Sequence, residues 1–149
     1  MKLLKQLTLV AGFAAVAGIA SAEEYRIGTA SIGGAFFPIG QSISNLVNKY
    51  AGDDISMVPV VTQGSVQNPR LVANGEVELA ITSSNLAADA VAGTGPYAGT
   101  AMDLKALGAL HPSILHMVVP AGSDIRTFAD LRGKRVAVGP AGGGTLGFL

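Results

Sequence analysis

The sequence predicts an α/β fold built on a mainly parallel β-sheet, and two observations predict it. The first is a unit in which a short apolar strand leads through a loop of Gly, Ser or Thr into a helix. The strands of its three copies cover residues 25–29, 57–61 and 135–139, and the loops cover residues 30–34, 62–65 and 142–145. The second is the alternation of strands and helices at the spacing of βαβ units, which makes neighbouring strands parallel.

The first strand covers residues 25–29, and the first helix covers residues 38–50, with Pro38 in its first turn. Apolar residues of this helix follow the spacing of a core-facing face. They are Ile39, Ile43, Leu46, Val47 and Tyr50.

The second strand covers residues 55–61, and the second helix covers residues 66–73. Ser65 stands where the N-cap of this helix is expected, because a serine side chain can accept a hydrogen bond from the first helical N–H groups. Asn74 and Gly75 form the expected end of the helix.

The third strand is predicted over residues 77–82, and a third helix over residues 86–91, capped from residues 83–85. Later elements are strands over residues 104–110, 114–119 and 134–139, and a one-turn helix capped by Thr127.

Residues 1–22 have the three parts of a secretory signal peptide. Lys2 and Lys5 form the basic part, residues 7–19 are almost all apolar, and residues 20–22 read Ala-Ser-Ala. We expect cleavage after this A-x-A site and export to the periplasm. The alternative is a membrane anchor, for which the apolar run is short.

Composition limits the classes of partner. The chain has ten basic and ten acidic residues, and removal of the leader would take away two lysines and leave a slightly acidic protein. Nothing in it forms a polybasic surface, so we expect no nucleic-acid partner. The chain has no cysteine and therefore no disulfide.

The first Gly-rich loop does not fit a nucleotide-binding loop. Gly28 and Gly33 have the spacing of a Walker A start, but Gly34 and Ala35 occupy the positions where Lys and Ser or Thr are needed.

An enzyme is also poorly supported. Ser31 resembles the serine of a nucleophile elbow, but Thr29 replaces the first glycine of that pattern. The only histidines, His111 and His116, have no obvious acidic partner, and with scattered carboxylates they form no metal-ligand pattern. We expect no catalytic residue, no metal and no cofactor.

The polar loops after the first three strands are expected at one edge of the sheet, because ligands of parallel α/β sheets bind beyond the carboxyl ends of the strands. Backbone N–H groups and hydroxyls at helix starts favour an anion there. Phe36 is expected either to pack in the core or to cover the apolar part of a ligand. His111 either lines a cleft or has only a role in a turn.

Taken in order, several segments resemble the TAXI-type solute receptors of TRAP transporters. The most characteristic covers residues 27–40, with a Gly-rich run, two aromatic residues, a proline, an apolar residue and a glycine. The others cover residues 62–68, 79–85, 94–97, 110–112, 130–139 and 142–145. Together they span nearly the whole chain after the leader.

This resemblance implies a periplasmic binding protein-like (type II) α/β fold with two lobes. Residues 23–119 would form the first lobe, and residues 120–149 the hinge and the start of a second lobe that is largely missing. We therefore expect an N-terminal fragment of a longer receptor; the alternative is a complete minimal domain.

The resemblance also implies capture of a small organic anion, glutamate-like or a dicarboxylate, for delivery to the membrane permease subunits of a TRAP transporter. Carried over, the ligand-binding residues are Ser31, Gly33, Gly34, Phe36, Gly64, Ser65, Ser83, Asn85, Gly143, Gly144 and Thr145. Asn85 stands where these receptors often have an acidic residue, which affects the expected choice of ligand.

Four other functions stay open from the sequence. The first is a receptor of an ATP-driven importer for sulfonate- or nitrate-like anions. The second is a sensor input for a membrane kinase, and the third is a truncated receptor without function. The fourth, with least support, is a serine hydrolase that uses Ser31.

Overall fold

The computed structural model describes residues 22–148. Its elements are β1 (Glu23–Gly28), α1 (Phe36–Tyr50), β2 (Ile55–Val60), α2 (Asn68–Ala73), β3 (Leu79–Ala80), α3 (Ser84–Ala92) and the 3-10 helices Gly95–Tyr97, Phe128–Leu131 and Thr145–Phe148. The predicted signal peptide lies outside the described residues except for its last residue. Within residues 22–148, no helix combines the length and the apolar character needed to cross a membrane.

The three strands form one parallel sheet in the order β2-β1-β3. The central strand β1 pairs with β2 along its whole length, from Glu23 opposite Ile55 to Gly28 opposite Val60. By contrast, β3 pairs only with the last two residues of β1. The predicted α/β fold with a parallel sheet is therefore confirmed, and one of its three strands is held by very few ladder hydrogen bonds.

Helix α1 covers the sheet through one hydrophobic cluster. The buried members of this cluster are Ile27, Met57 and Ile81, and the α1 residues Phe36, Ile39, Ile43 and Val47 pack against them. Leu46 and Tyr50 were expected in the same face but are 57% and 71% exposed. The reason is the orientation of the helix, whose buried residues are the small Gly40 and Ser44.

Gly40 allows α1 to lie close to the end of β1. A Cβ atom at this position would lie 2.3 Å from Cγ2 of Thr29, which is closer than any non-bonded contact allows. Close approach on this side turns Leu46 and Tyr50 toward solvent.

A second hydrophobic cluster lies under α3. It consists of Leu86, Ala90, Tyr97 and Met102, with Val66 and Leu104 packed against it. Helix α3 ends at Ala92, and the following Gly93 has a φ of 67°, the left-handed conformation that glycine adopts without strain.

The helix starts differ from those predicted. Helix α1 begins at Phe36, two residues before Pro38, and proline is tolerated there because it is still in the first turn. Helix α2 begins at Asn68 with Gln67 as its N-cap, so the prediction of Ser65 as the cap is wrong. Before α2, the N–H groups of Gln67 and Asn68 both donate to the Gly64 carbonyl oxygen, so residues 64–67 form a turn.

Several predicted strands are absent from the described part of the chain. The third strand is only two residues long, and residues 104–110, 114–119 and 134–139 have no strand structure. A strand needs a neighbouring strand to accept and donate its backbone hydrogen bonds, and no described segment pairs with these three. Their apolar residues are consequently exposed; Leu107 and Val118, for example, are 85% and 86% exposed.

The predicted cap at Thr127 is confirmed. Thr127 and Asp130 form a capping box around the 3-10 helix Phe128–Leu131. The Asp130 carboxylate accepts hydrogen bonds from the N–H groups of Arg126 and Thr127 and from the Thr127 hydroxyl. These bonds favour the charged form and lower the pKa of Asp130.

A buried amide ties the ends of β1 and β3 together. Asn68 is 0% exposed, and its Nδ2 donates to the carbonyl oxygens of Thr29 at 2.7 Å and Ile81 at 2.6 Å. The Thr29 carbonyl also accepts a hydrogen bond, at 3.0 Å, from the hydroxyl of Thr62, a residue that follows β2. Side chains thus connect all three strand ends at the edge where the strands stop pairing.

We predict that Asn68→Ala lowers the free energy of unfolding by about 2 kcal/mol, because it breaks both hydrogen bonds and leaves the Ile81 carbonyl without its donor. Urea unfolding followed by circular dichroism measures this. The control is Asn45→Ala on the exposed side of α1, which should change stability by less than about 0.5 kcal/mol. Equal effects of the two variants would contradict the role of Asn68.

An ion pair joins β1 to the residue before β3. Nη2 of Arg26 lies 2.7 Å from Oε1 of Glu78, and the backbone N–H of Arg26 donates to Oε2 of the same carboxylate at 2.7 Å. These contacts lower the pKa of Glu78 to about 2. The hydrogen bonds from the guanidinium are the largest cause, and the hydrogen bond from the backbone N–H of Arg26 is the next.

This depressed pKa predicts the direction of a pH effect. A carboxyl group with a lower pKa in the folded state stabilises the fold above its unfolded pKa, and this contribution disappears as the pH falls from about 4.5 toward 2. Glu78→Gln should therefore weaken the dependence of the melting temperature on pH in this window. Because the pair is partly exposed, added salt should reduce the difference. The assignment would be contradicted if the melting temperatures of Glu78→Gln and of the parent chain changed equally with pH across this window.

Candidate functional site

A cavity of about 200 Å³ lies at the carboxyl edge of the sheet. It is lined by Phe36, Ser65, Ser83, Ser113, Ile114, Leu115, Gly144 and Thr145. The first three follow β1, β2 and β3 in turn, so each strand of the sheet delivers one residue to the wall. This is the edge at which parallel α/β sheets bind ligands.

Ser65 is held in place by its own main chain. Its carbonyl oxygen accepts hydrogen bonds from the Thr82 hydroxyl at 2.8 Å and the Tyr97 hydroxyl at 3.3 Å. Burial of the Tyr97 ring is the main cause of a raised pKa for its phenol, so this group remains a protonated donor.

Ser83 contributes an unpaired hydroxyl. Its Oγ is buried and has no hydrogen-bond partner among the described residues. Ser83 is the N-cap residue of α3 in backbone conformation, but its side chain makes no capping hydrogen bond. Both the hydroxyl and the first N–H groups of α3 therefore remain able to donate to a bound group.

Gly144 closes this wall because it has no side chain. A Cβ atom at this position would lie 3.1 Å from Oγ of Ser65 and 3.6 Å from Oγ of Ser83. Only glycine fits without displacing the Ser65 side chain, and both hydroxyls lie beside the Gly144 backbone.

The Gly-rich loop that carries Gly144 is anchored on the turn before α2. The N–H groups of Val66 and Gln67 donate to the Gly142 carbonyl oxygen at 2.9 Å and 3.2 Å. At its other end, the Gly144 carbonyl accepts from the N–H of Gly147. The loop and Ser65 thus share one support.

Phe36 forms the apolar wall. It packs against the α1 cluster and also lines the cavity, so both of its predicted roles fit its position. Its ring meets the ring of His111 edge to face, with centroids 6.2 Å apart. His111 is exposed and precedes the lining residues at 113–115.

The cavity wall is electrically neutral. None of its lining residues is Asp, Glu, Lys, Arg or His, and its polar groups are hydroxyls and backbone amides. Among residues 22–148, no three His, Cys, Asp or Glu side chains come together as a metal site requires.

Five predicted ligand-binding residues line this cavity: Phe36, Ser65, Ser83, Gly144 and Thr145. The other six, Ser31, Gly33, Gly34, Gly64, Asn85 and Gly143, lie outside its lining. Among these, Gly64 lies next to the Gly-rich loop, because its Cβ position is 3.7 Å from Cα of Gly143. Ser31 and Asn85 are exposed. The part of all eleven in ligand binding stays a prediction.

Ser31 does not adopt the strained turn of a nucleophile elbow. No non-glycine residue in the described part of the chain has a positive φ, and the Ser31 carbonyl simply accepts the N–H of Gly34 at 2.8 Å.

Sequence reasoning missed Ser113, Ile114 and Leu115. These residues fall in or beside residues 114–119, whose nearly continuous apolar run predicted a strand rather than a cavity wall. The signal that could have found them is the adjacent His111, for which a place at a cleft was one of two expectations.

A family model described as the NMT1-like family matches residues 27–148. The match runs from within β1 to the end of the last 3-10 helix, and the chain therefore belongs to this family. The family is related to periplasmic solute-binding proteins and is generally a binding-protein family. The parallel three-stranded sheet is consistent with part of one lobe of such a protein.

We predict that Ser83→Ala raises the free energy of unfolding by up to about 1 kcal/mol, because it removes a buried hydroxyl without a partner and breaks no capping hydrogen bond. Thr62→Val is the contrasting variant, since the Thr62 hydroxyl donates to Thr29 and accepts from Gly64. It should lower stability by about 1–2 kcal/mol. Urea unfolding compares the two; an equal loss in both would show that Ser83 has a structural partner after all.

Proposed function

We propose that this member of the NMT1-like family is an extracytoplasmic solute-binding protein that captures a small organic anion, either a glutamate-like amino acid or a dicarboxylate. The observation that carries the proposal is the neutral cavity at the carboxyl edge of the sheet. Ser65 and Ser83 line this cavity together with Phe36, and both hydroxyls lie beside Gly144.

The polar groups of the cavity support an anionic ligand. The buried Ser83 hydroxyl has a proton to donate and no protein acceptor among the described residues, and the first turn of α3 adds unpaired N–H groups with partial positive charge. A carboxylate offers the acceptor oxygens that these donors lack. The Phe36 ring and the apolar side chains of Ile114 and Leu115 would contact the carbon chain of the ligand.

The size and neutrality of the cavity support reversible capture of a small molecule. A volume of about 200 Å³ lies below the range of drug-sized pockets. The lining holds no group that transfers protons near neutral pH, whereas hydroxyls and amides bind an anion without reacting with it.

The transport role rests on the sequence. The resemblance to TAXI-type receptors supports delivery to the membrane permease subunits of a TRAP transporter, and the leader-like residues 1–22 support a periplasmic location. The same neutral donors would also accept the oxygens of a sulfonate or nitrate. A receptor of an ATP-driven importer is therefore the second candidate.

The test is a thermal melt of the chain, expressed with its own leader, in the presence of L-glutamate, succinate, taurine or nitrate. A ligand that binds only the folded state adds about 2.7 kcal/mol at one hundred times its Kd, so the melting temperature should rise with concentration. Succinamide, which has the shape of succinate without its charge, should give no shift. A shift with taurine or nitrate alone would favour the ATP-driven importer.

Two variants connect any shift to the cavity. Ser83→Ala should abolish the shift, while Ser44→Ala removes an equally buried and unpaired hydroxyl from α1, away from the cavity, and should keep it. A cooperative melt that none of the four anions shifts, or a shift that persists in Ser83→Ala, would overturn the proposed function.

A further inference from the structure

We propose that Thr82 is a positioning residue of the candidate site. Its hydroxyl fixes the distance between the hydroxyls of Ser65 and Ser83. This inference rests on the proposed function for its biological meaning, but its geometric content can be tested without a ligand.

The two hydroxyls come from loops that the sheet itself does not connect. Ser65 follows β2 and Ser83 follows β3, and these strands lie on opposite sides of β1. Adjacent strands are about 4.8 Å apart, so the ends of β2 and β3 are separated by about 10 Å. No ladder hydrogen bond runs between β2 and β3, and the spacing of the two serines must be set beyond the sheet.

Thr82 makes the direct connection. It immediately precedes Ser83, and its Oγ1 donates to the carbonyl oxygen of Ser65 at 2.8 Å. One short hydrogen bond therefore joins Ser65 to Thr82, the direct neighbour of Ser83. A Thr side chain is stiff about χ1, so the bond also fixes the direction of the strand end.

The other donor near the Ser65 carbonyl is weaker. The Tyr97 hydroxyl lies 3.3 Å from this oxygen but 3.0 Å from the carbonyl oxygen of Val66, and it has only one proton to donate. Loss of the Thr82 hydroxyl would leave the Ser65 carbonyl with the longer and shared contact. Thr82 is thus the principal donor to the Ser65 carbonyl oxygen.

The short length of β3 makes the connection necessary. Only Leu79 and Ala80 pair with β1, so the chain leaves the sheet just before Thr82. Asn68 fixes the Ile81 carbonyl one residue earlier, and Thr82 then fixes the chain toward Ser65. Without the second bond, residues 82–84 would be connected to the segment after β2 only through Asn68 and the Ile81 carbonyl.

The absence of cysteine from the chain allows a direct measurement of the spacing. In the reporter chain, Ser65→Cys and Ser83→Cys place two thiols where the two hydroxyls now lie within 3.6 Å of one point. Neither change removes the Ser65 carbonyl or the Thr82 hydroxyl. The rate of disulfide formation with diamide, followed by mass spectrometry, then reports how often the two positions meet.

Three further variants are made in the reporter chain. Thr82→Val keeps the shape of the side chain and removes its hydroxyl, and it should lower the rate about five-fold, the factor by which one neutral hydrogen bond commonly biases an equilibrium. Thr82→Ser restores the hydroxyl and should restore the rate. Thr94→Val removes a comparable hydrogen bond, to Oδ1 of Asp89, away from the cavity and should leave the rate unchanged.

Each outcome decides the proposal. A lower rate in Thr82→Val alone, with recovery in Thr82→Ser, supports it, since a general loss of stability would act equally in Thr94→Val. An unchanged rate in Thr82→Val, a similar decrease in Thr94→Val, or no recovery in Thr82→Ser overturns it. If Thr82→Val does not melt cooperatively, Thr82→Ala is used in its place. It removes the same hydroxyl and adds no methyl group next to the Ser65 carbonyl.

The result is independent of whether any anion binds. A positive crosslinking result without a thermal shift would keep Thr82 as the residue that sets the spacing and would reject the anion receptor. A thermal shift in the parent chain, together with an unchanged crosslinking rate in Thr82→Val, would overturn the positioning role of Thr82 and support the proposed anion receptor.

Discussion

The fold of this chain depends on a buried amide at the edge where its three strands diverge. Asn68 has no solvent exposure, and its Nδ2 connects the ends of β1 and β3, while Thr62 brings the end of β2 to the same Thr29 carbonyl. A parallel sheet normally obtains this connection from long ladders, but β3 offers only two paired residues. The arrangement has an energetic cost, since Oδ1 of Asn68 is buried without a partner among the described residues.

The polar side chains around this edge divide into two groups. One group donates to main-chain carbonyls: Thr62 to Thr29, Thr82 to Ser65, and Tyr97 to Val66. Such bonds are internal and leave no donor for a ligand. The serines of the cavity form the other group, and the buried Ser83 hydroxyl in particular has no protein partner in the described part of the chain. A buried donor without an acceptor destabilises the unliganded protein, and that same free energy becomes available when an acceptor binds.

What the sequence could predict was local. Strands β1 and β2, helix α1 and the Thr127 cap follow from periodicity and capping residues within a few positions of each other. The shortened β3 and the absent strands at residues 104–110, 114–119 and 134–139 could not be foreseen, because a short apolar run reports an intrinsic preference, whereas a strand also needs a partner that sequence alone does not supply. Among the five cavity residues that were predicted, Ser65 and Ser83 follow from a topological rule that places the strand ends at one edge, whereas Gly144 and Thr145 came from the family resemblance. Asn68 gave no signal, since one polar residue in a helix is ordinarily a surface residue.

The supports of the cavity explain how its two sides stay in register. Ser65 lies in the turn before α2. The N–H groups of Val66 and Gln67 in this turn donate to Gly142 of the Gly-rich loop. Asn68, the next residue, donates to the carbonyl groups that follow β1 and β3. Residues 64–68 are therefore a common hub for both walls. Because the wall carries no charged side chain, a ligand bound in this cavity would be selected by the spacing of neutral donors rather than by net charge, and neutral donors select only when their spacing is fixed. A recognition site built from hydroxyls and amides thus needs the rigid hub that these buried side-chain hydrogen bonds provide.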